Sequence, residues 1–167
     1  MINIFYYLLA FLIVQRLAEL MIANRNTAKL LVAGAVEHGR GHYPLFILLH
    51  GGWIIVLAIS VAPDTPFNIY LFVIFVFLQM GRIWVVATLG RFWTTRIISL
   101  PDAPLVRNGP FRFVRHPNYL VVVGEIAIVP LIGGMWEIAL IFSGLNFALL
   151  WWRIRIEEQA IAPRRQA

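Results

Sequence analysis

The sequence predicts an all-α integral membrane protein with about five transmembrane helices, folded as a single domain over residues 1–167. Of its 167 residues, 60% are hydrophobic and only 13% are charged, whereas soluble domains carry about 25% charged residues. The mean hydropathy is +0.79, and apolar runs of about 20 residues, the length that crosses a bilayer, recur along the chain. The absence of cysteine excludes disulfides and thiolate chemistry.

Five apolar runs predict the transmembrane spans, near residues 2–22, 43–62, 67–89, 119–134 and 136–153. The first three are long enough to cross with some tilt. The first lacks a basic leading region and a cleavage site, so it is expected to span the membrane and not to act as a signal peptide. The last two are short and meet at Gly133-Gly134, which predicts a tight turn between antiparallel helices. They form either a full transmembrane hairpin or a shallower one.

The basic residues predict the orientation of the chain. Apart from Arg16 and Arg82, every Lys and Arg lies in the 24–42 connection, in the 90–118 connection or in the tail that follows the last span. The two intervening turns carry none. Because cytoplasmic loops are enriched in Lys and Arg, these basic segments are expected in the cytoplasm, with the N-terminus outside and the C-terminus inside. Basic residues that border apolar segments indicate lipid contact and not nucleic-acid binding.

The 90–118 connection is too long to be a simple link between two helices. It leads into the segment 109–119, Gly-Pro-Phe-Arg-Phe-Val-Arg-His-Pro-Asn-Tyr. Pro117 suits the first turn of the fourth helix, whose N-terminus would offer free N–H groups to a polar ligand. Arg115, His116 and Tyr119 are therefore candidate ligand-binding residues. The alternative is that Arg115 and His116 only anchor a helix end.

A second polar cluster, Arg153, Glu157 and Glu158, ends the last span. Arg153 and Glu157 are four residues apart and share a helix face, so a simple salt bridge is one interpretation. However, Arg placed before Glu is the poorer orientation for such a pair, and acids are disfavoured at a helix C-terminus. A functional site shared with the segment 109–119 is the other interpretation. The spacing of carboxylates and histidines predicts no metal site.

Five other polar residues lie within the predicted spans. Arg16 and Glu19 share a helix face, as an ion pair or as a substrate contact. His50 is either a hydrogen-bonded bundle residue or part of a site. Glu125 requires a partner if it is buried. Arg82 is expected to extend its side chain to the membrane interface.

These residues resemble the isoprenylcysteine carboxyl methyltransferase family over roughly residues 78–160. The resemblance rests on Leu89-Gly90, Gly109-Pro110-Phe111-Arg112, Arg115-His116-Pro117-Asn118-Tyr119 and Arg153-Ile154-Arg155-Ile156-Glu157-Glu158. Phospholipid methyltransferases share a similar Arg-His-Pro-x-Tyr, and the Arg-x-x-x-Glu-Glu ending favours the carboxyl methyltransferases. Residues 15–20 and 41–44 resemble a small bacterial branch. Some of its members are similar to methyltransferases encoded beside type III polyketide synthases, which O-methylate alkylpyrones or alkylresorcinols.

The resemblance implies an S-adenosylmethionine-dependent O-methyltransferase in a bacterial inner membrane, with its active site facing the cytoplasm. The cofactor would occupy a pocket formed within about residues 89–160, and a lipophilic substrate would enter between helices. Arg153 would hold the acceptor oxygen, and Glu157, the second catalytic residue, would contact the cofactor. The other implied cofactor-binding residues are Arg115, His116, Pro117, Tyr119 and Glu158. Arg16, His50 and Glu125 are candidate substrate contacts.

The acceptor stays open at this point. A prenylcysteine carboxylate is already anionic and needs no base, whereas a phenol with a pKa near 10 needs one, for which His116 and Glu125 are candidates. The sequence departs from the family by delaying the glycine after Tyr119 to Gly124 and by placing Thr94, Thr95 and Arg96 where a histidine is usual. A phospholipid N-methyltransferase and a non-catalytic lipid-binding or transport protein are the alternatives. The sequence predicts no oligomeric state.

Overall fold

The computed structural model describes residues 3–101 and 103–166, with side chains described to residue 162. Residue 2, the first of the first predicted span, and the side chains of Arg164 and Arg165 therefore lie outside the described part. Within it the chain forms five α-helices and two short strands. The helices are α1 (Ile4–Val32), α2 (Tyr43–Ser60), α3 (Ile69–Leu89), α4 (Pro117–Ile132) and α5 (Trp136–Gln166); the strands are β1 (Val36–His38) and β2 (Ile97–Ser99).

The helices run alternately up and down between two ends of a bundle. At one end, the turn end, the Asn3 side chain donates to the carbonyls of Ala62 (3.2 Å) and Thr65 (3.0 Å). At the same end the Asn68 N–H donates to the Ile132 carbonyl at 2.9 Å. The start of α1, the α2–α3 turn and the α4–α5 turn therefore lie together.

The other end, the connection end, is joined by a short antiparallel ladder between β1 and β2, with Glu37 opposite Ile98. The ladder ties the α1–α2 connection to the α3–α4 connection, and α5 contacts both strands. All three basic segments of the sequence therefore meet at one end of the bundle. The sequence analysis predicted only helices, because two strands of three residues are too short to leave a periodic signal.

Four helical segments are long and apolar enough to cross a membrane, namely Ile4–Val32, Arg40–Ser60, Ile69–Phe92 and Trp136–Ala162. The shorter apolar α4, Pro117–Ile132, has 16 residues. At 1.5 Å per residue it is about 24 Å long, shorter than the roughly 30 Å of a bilayer core. The chain is thus an integral membrane protein with four candidate spans and one short apolar helix, where the sequence predicted about five spans.

The helix ends follow local chemistry. Asn3 caps α1 by accepting from the Phe5 N–H at 2.9 Å, and Asn68 caps α3 by accepting from the Tyr70 N–H at 3.0 Å. Helix α4 begins at Pro117, in agreement with the expectation from the sequence. Helix α1 continues about ten residues past its predicted end at residue 22, because polar residues end an apolar run without ending a helix.

The core lies between α1, α2, α3 and α4. Phe5, Leu12, Trp53, Leu57 and Ile126 are at most 1% exposed, while large apolar side chains cover the outer face, as a bilayer requires.

Gly124 of α4 has a role in helix packing. A Cβ at Gly124 would lie 2.8 Å from Leu78 Cδ1, so the missing side chain lets α3 and α4 approach closely.

Candidate active site

Two cavities occupy the half of the bundle nearest the connection end. The connection cavity, about 750 Å³, lies beneath the 90–116 connection. Its lining includes apolar residues, among them Phe92, Leu105 and Ile161, and several polar ones. The polar residues are Arg107, Arg112, Arg115, His116 and Glu157.

The helix cavity, about 370 Å³, lies deeper, among all five helices. Its apolar lining includes Ile13 and Leu17 of α1, Ile47 and Ile54 of α2, and Val122 of α4. Its polar lining comprises Arg16, Glu19, Tyr43, His50, Arg82, Trp93, Thr94, Thr95, Asn118, Tyr119 and Arg153. The cavity is therefore mostly apolar, with polar side chains at its boundary.

A chain of hydrogen bonds lies between the two cavities and connects residues of their linings. Arg153 Nε donates to the Tyr119 hydroxyl at 2.8 Å, and that hydroxyl donates to Glu157 Oε2. Tyr119 and Arg153 line the helix cavity, whereas Glu157 lines the connection cavity. The Tyr119 hydroxyl is thus the point where a ligand in one cavity would meet a ligand in the other.

His116 joins the start of α4 to the end of α5. Its Nε2 donates to Glu158 Oε1 at 2.9 Å, and its Nδ1 lies 3.8 Å from Glu157 Oε1. Its ring stacks on Tyr119 with centroids 5.2 Å apart and an interplanar angle of 15°. Pro117 sets the first turn of α4, which puts His116 and Tyr119, three residues apart, on one face. The two polar clusters of the sequence therefore meet in space.

Arg153 is held in place on several sides and is only 8% exposed. Besides its bond to Tyr119, its Nη2 donates to the Thr95 carbonyl at 2.9 Å. The guanidinium lies 5.3 Å from the Phe46 ring centroid. Its Nη1 makes no hydrogen bond with the described residues, so donors of a fixed guanidinium remain for a ligand in the helix cavity.

The segment where the sequence departs from the family supports Arg153. The Thr95 carbonyl accepts from Arg153, and the Thr95 hydroxyl lies 3.1 Å from the Tyr43 hydroxyl. Arg96 lies over the Tyr43 ring at 5.0 Å and contacts Glu37 of β1 at 3.3 Å. Sequence reasoning missed these roles, and the unusual Thr94-Thr95-Arg96 was the one signal that marked the place.

A second group of charges lies deeper, across α1, α3 and α4. Arg82 donates to both oxygens of Glu19, from Nε at 2.5 Å and from Nη2, and to Glu125 Oε2 from Nη1 at 3.2 Å. Arg16 donates to Glu125 at 2.5 Å and to Glu19 at 3.4 Å. Gln79 donates to Glu125 Oε1 at 2.6 Å. Two arginines and two glutamates thus form a charge-balanced network.

The expectation that Arg82 extends to the membrane interface is wrong. Its side chain is 5% exposed and faces the bundle. Two carboxylates on neighbouring helices hold it there, and the sequence showed the charges without showing that they meet. Of the candidate substrate contacts, Arg16 lines the helix cavity, whereas Glu125 is 0% exposed and its oxygens face Arg16, Gln79 and Arg82.

His50 lies in α2 at the wall of the helix cavity. Its Nδ1 donates to the Phe46 carbonyl at 2.9 Å, one turn earlier in the helix. The ring centroids of His50 and Phe46 are 6.3 Å apart. Since Phe46 also lies against Arg153, the same aromatic ring neighbours both His50 and the Arg153 guanidinium.

Comparison with known proteins identifies the family of the chain. The model of the isoprenylcysteine carboxyl methyltransferase (ICMT) family matches residues 70–163, from α3 into the last turn of α5. An uncharacterized protein of Bacillus subtilis, YpbQ, is 38% identical over 161 residues, which cover 94% of this chain and 96% of that protein. An uncharacterized protein of Haemophilus influenzae is 26% identical over 152 residues, 88% of each chain. No solved structure matches. The chain belongs to the isoprenylcysteine carboxyl methyltransferase family, and hence to the membrane methyltransferases.

Proposed function

We propose that the protein is an S-adenosylmethionine-dependent O-methyltransferase that acts on a lipophilic acceptor taken from the bilayer. The observation that carries the proposal is the Arg153–Tyr119–Glu157 chain at the boundary of the two cavities. The polar cofactor would occupy the connection cavity and the apolar acceptor the helix cavity. Their reacting ends would meet beside Tyr119.

The connection cavity suits the cofactor by size and by chemistry. Its volume of about 750 Å³ lies within the range of small-molecule sites. Arg112 and Arg115 suit the cofactor's carboxylate, and Glu157 suits its cationic or hydroxyl groups. Phe92 and Leu105 offer apolar surface for the adenine. When bound, the cofactor supplies an electrophilic methyl group on a sulfonium.

The helix cavity suits an acceptor with an apolar chain. Ile13, Leu17 and Ile47 line it and are also 41%, 56% and 55% exposed on the outer face. They lie on α1 and α2, which pack loosely against each other. A chain lying in the bilayer would therefore enter between these two helices with its polar end towards Arg153.

Arg153 would orient the acceptor oxygen. The hydrogen bonds to Tyr119 and Thr95 fix the guanidinium, and its remaining donors suit an anionic oxygen. Methyl transfer is an in-line displacement, so the protein's contribution is alignment of the oxygen and exclusion of water. A prenylcysteine-type carboxylate and a polyketide enol or phenol both fit this description. A phospholipid amine would gain nothing from Arg153.

We place the protein in the inner membrane of a bacterium, with the connection end in the cytoplasm. The support is the concentration of basic residues at that end and the solubility of the cofactor in water. A non-catalytic lipid transporter would carry its polar groups along a pathway through the bilayer. Here the unfilled donors of Arg153 lie beside a second cavity of the size of a cofactor site.

The direct test is methyl transfer by protein purified in lipid nanodiscs. Labelled S-adenosylmethionine is supplied with farnesylcysteine, an alkylpyrone, an alkylresorcinol or phosphatidylethanolamine, and transfer to one of the first three is expected. The exposed Arg91→Ala variant is the matched control and should keep wild-type turnover. Transfer to phosphatidylethanolamine alone would make the protein an N-methyltransferase. Absence of both transfer and cofactor binding would leave a lipid-binding protein.

A further inference from the structure

Among the residues that line the helix cavity, the side chains able to accept a proton are engaged in hydrogen bonds, with one exception. Both oxygens of Glu19 accept from Arg82. The Tyr119 hydroxyl accepts from Arg153 and donates to Glu157, and the Tyr43 hydroxyl bonds to Thr95. Each of these groups thus already uses its oxygen atoms in hydrogen bonds within the protein.

The exception is His50. The carbonyl of Phe46 can only accept a hydrogen bond, so the 2.9 Å contact requires the proton on His50 Nδ1. In the neutral imidazole the other nitrogen, Nε2, then carries a lone pair. No hydrogen bond among the described residues uses Nε2, and the ring lines the helix cavity. The backbone of α2 therefore fixes a proton acceptor at the cavity wall.

His50 also shares its cavity with the group that would hold the acceptor, because His50 and Arg153 both line the helix cavity. Phe46 lies beside both, with its ring centroid 6.3 Å from that of His50 and 5.3 Å from the Arg153 guanidinium. The charged groups whose fields act on His50 come from three other helices, Arg16 from α1, Glu125 from α4 and Arg153 from α5. An oxygen bound by Arg153 would thus lie in the cavity that the His50 ring lines.

The two bases considered from the sequence are engaged elsewhere. His116 lies between Glu157 and Glu158 and lines the connection cavity, on the cofactor side of Tyr119. Glu125 is 0% exposed, and its oxygens accept from Arg16, Gln79 and Arg82. Neither carries a free acceptor facing the space where the methyl acceptor would bind.

Resting on the proposed function, we propose that His50 Nε2 accepts the proton of the acceptor hydroxyl, and that the substrate is a phenol carrying an apolar chain. A carboxylic acid or an acidic enol is already ionised at neutral pH and has no proton to give. A phenol, with a pKa near 10, keeps its proton and needs a base to become a good nucleophile.

The proton and both electron pairs of the transfer each have a defined destination. The phenol O–H bond breaks, its proton goes to His50 Nε2, and the electron pair stays on oxygen. That oxygen forms the new bond to the methyl carbon as the carbon–sulfur bond breaks, with the electron pair of that bond left on sulfur. Arg153 steadies the charge on oxygen during the transfer. His50 then returns its proton to water and regains the neutral form.

The first test needs no cofactor. An ortho-nitrophenol with a dodecyl chain is bound to the cofactor-free protein in nanodiscs, and its visible phenolate absorbance is followed against pH. In the wild type the bound probe should ionise at a pH at least one unit below that in His50→Gln, a tenfold shift in its ionisation constant. His38→Gln, on β1 outside the cavity, should behave as wild type. Equal ionisation in wild type and His50→Gln would overturn the proposal.

A second variant keeps the proposal testable if His50→Gln does not fold. Gly51 lines the helix cavity, and a Cβ there meets no atom within 4 Å, so Gly51→Phe should fold and fill the space. It should no longer bind or ionise the probe. Wild-type ionisation in this variant would show that the probe lies elsewhere and would also overturn the proposal.

Measurements of turnover then test the role of His50 and the proposed methyl transfer separately. His50→Gln should slow methylation of an alkylresorcinol by about 10²–10⁴-fold, the usual contribution of a general base. With farnesylcysteine or an alkylpyrone, already ionised, the same substitution should slow methylation by a much smaller factor. Unchanged alkylresorcinol turnover sinks the role of His50. A wild type that ionises the probe but methylates nothing refutes the proposed methyl transfer and leaves the proton acceptor standing.

Discussion

The protein contains two groups of buried and half-buried arginines and glutamates that look alike in sequence and differ in their partners. In the deep network of Arg16, Glu19, Arg82 and Glu125, every charge faces an opposite charge. In the shallower group, Arg153 reaches Glu157 only through the Tyr119 hydroxyl and keeps unused donors. The first group is complete without a ligand, and the second is not.

Whether a charged group already has its partners distinguishes a structural role from a catalytic role more clearly than its burial or its position in the chain does. The deep network joins α1, α3 and α4, so its neutrality serves the packing of the bundle. The group around Arg153 lies where two cavities meet, and its open donors have a use only when something binds. Polar groups inside a membrane protein are therefore best sorted by whether their hydrogen bonds are already filled.

The largest expected effect comes from breaking the deep network. Arg82→Ala should lower the free energy of unfolding by about 3–5 kcal/mol, since it leaves Glu19 and Glu125 with too little positive charge. The measurement is chemical unfolding in detergent. Arg91→Ala, a change at an exposed arginine, serves as the control and should stay near wild type. A loss in Arg82→Ala no greater than in the control would show that the network is not structural.

The second effect should fall on catalysis. Arg153→Ala should lower kcat by about 10²–10³-fold, the usual effect of removing one donor to a developing anion. Its unfolding should change less than that of Arg82→Ala, because Tyr119 and Glu157 keep their mutual bond. The control is Arg155→Ala, whose guanidinium lies on the exposed Trp151 ring at 3.7 Å. Wild-type turnover in Arg153→Ala contradicts the assignment of the acceptor site.

The smallest effect should be on cofactor affinity. His116→Ala removes the contact to Glu158 and the stacking on Tyr119, so Kd for S-adenosylmethionine should rise by about tenfold, the equivalent of one charge-assisted hydrogen bond. Isothermal titration calorimetry measures it, with His38→Ala as the control. An unchanged Kd would remove His116 from the cofactor site.

Much of the fold was predictable because bilayer crossing demands long apolar runs. The apolar segments indicated the helices, and Pro117 marked the start of α4. Helix ends beyond the apolar core were not predictable in this way, and α1 runs on to Val32. The β1–β2 ladder was also missed, because three residues per strand carry no period and the pairing joins segments far apart in the chain.

For the candidate site, the sequence singled out Arg153, Glu157, His116 and Tyr119, and the structure brings these four side chains together. It could not show how hydrogen bonds are shared among them. Arg82 looked like an anchor because its carboxylate partners lie on other helices, 63 residues away for Glu19. The availability of His50 Nε2 likewise depends on a contact that only coordinates reveal.

The deep network also has a consequence for how the chain enters the membrane. Helix α1 is synthesised first and carries its own counter-ion, because Arg16 and Glu19 lie one turn apart. An unpaired Arg at the centre of a helix costs about 2.5–3.5 kcal/mol to insert. Arg82 arrives later on α3 and meets Glu19 already in the bilayer, and Glu125 follows on α4 to meet both arginines. Each later helix that carries one of these charges thus enters a membrane that already contains a helix with the opposite charge.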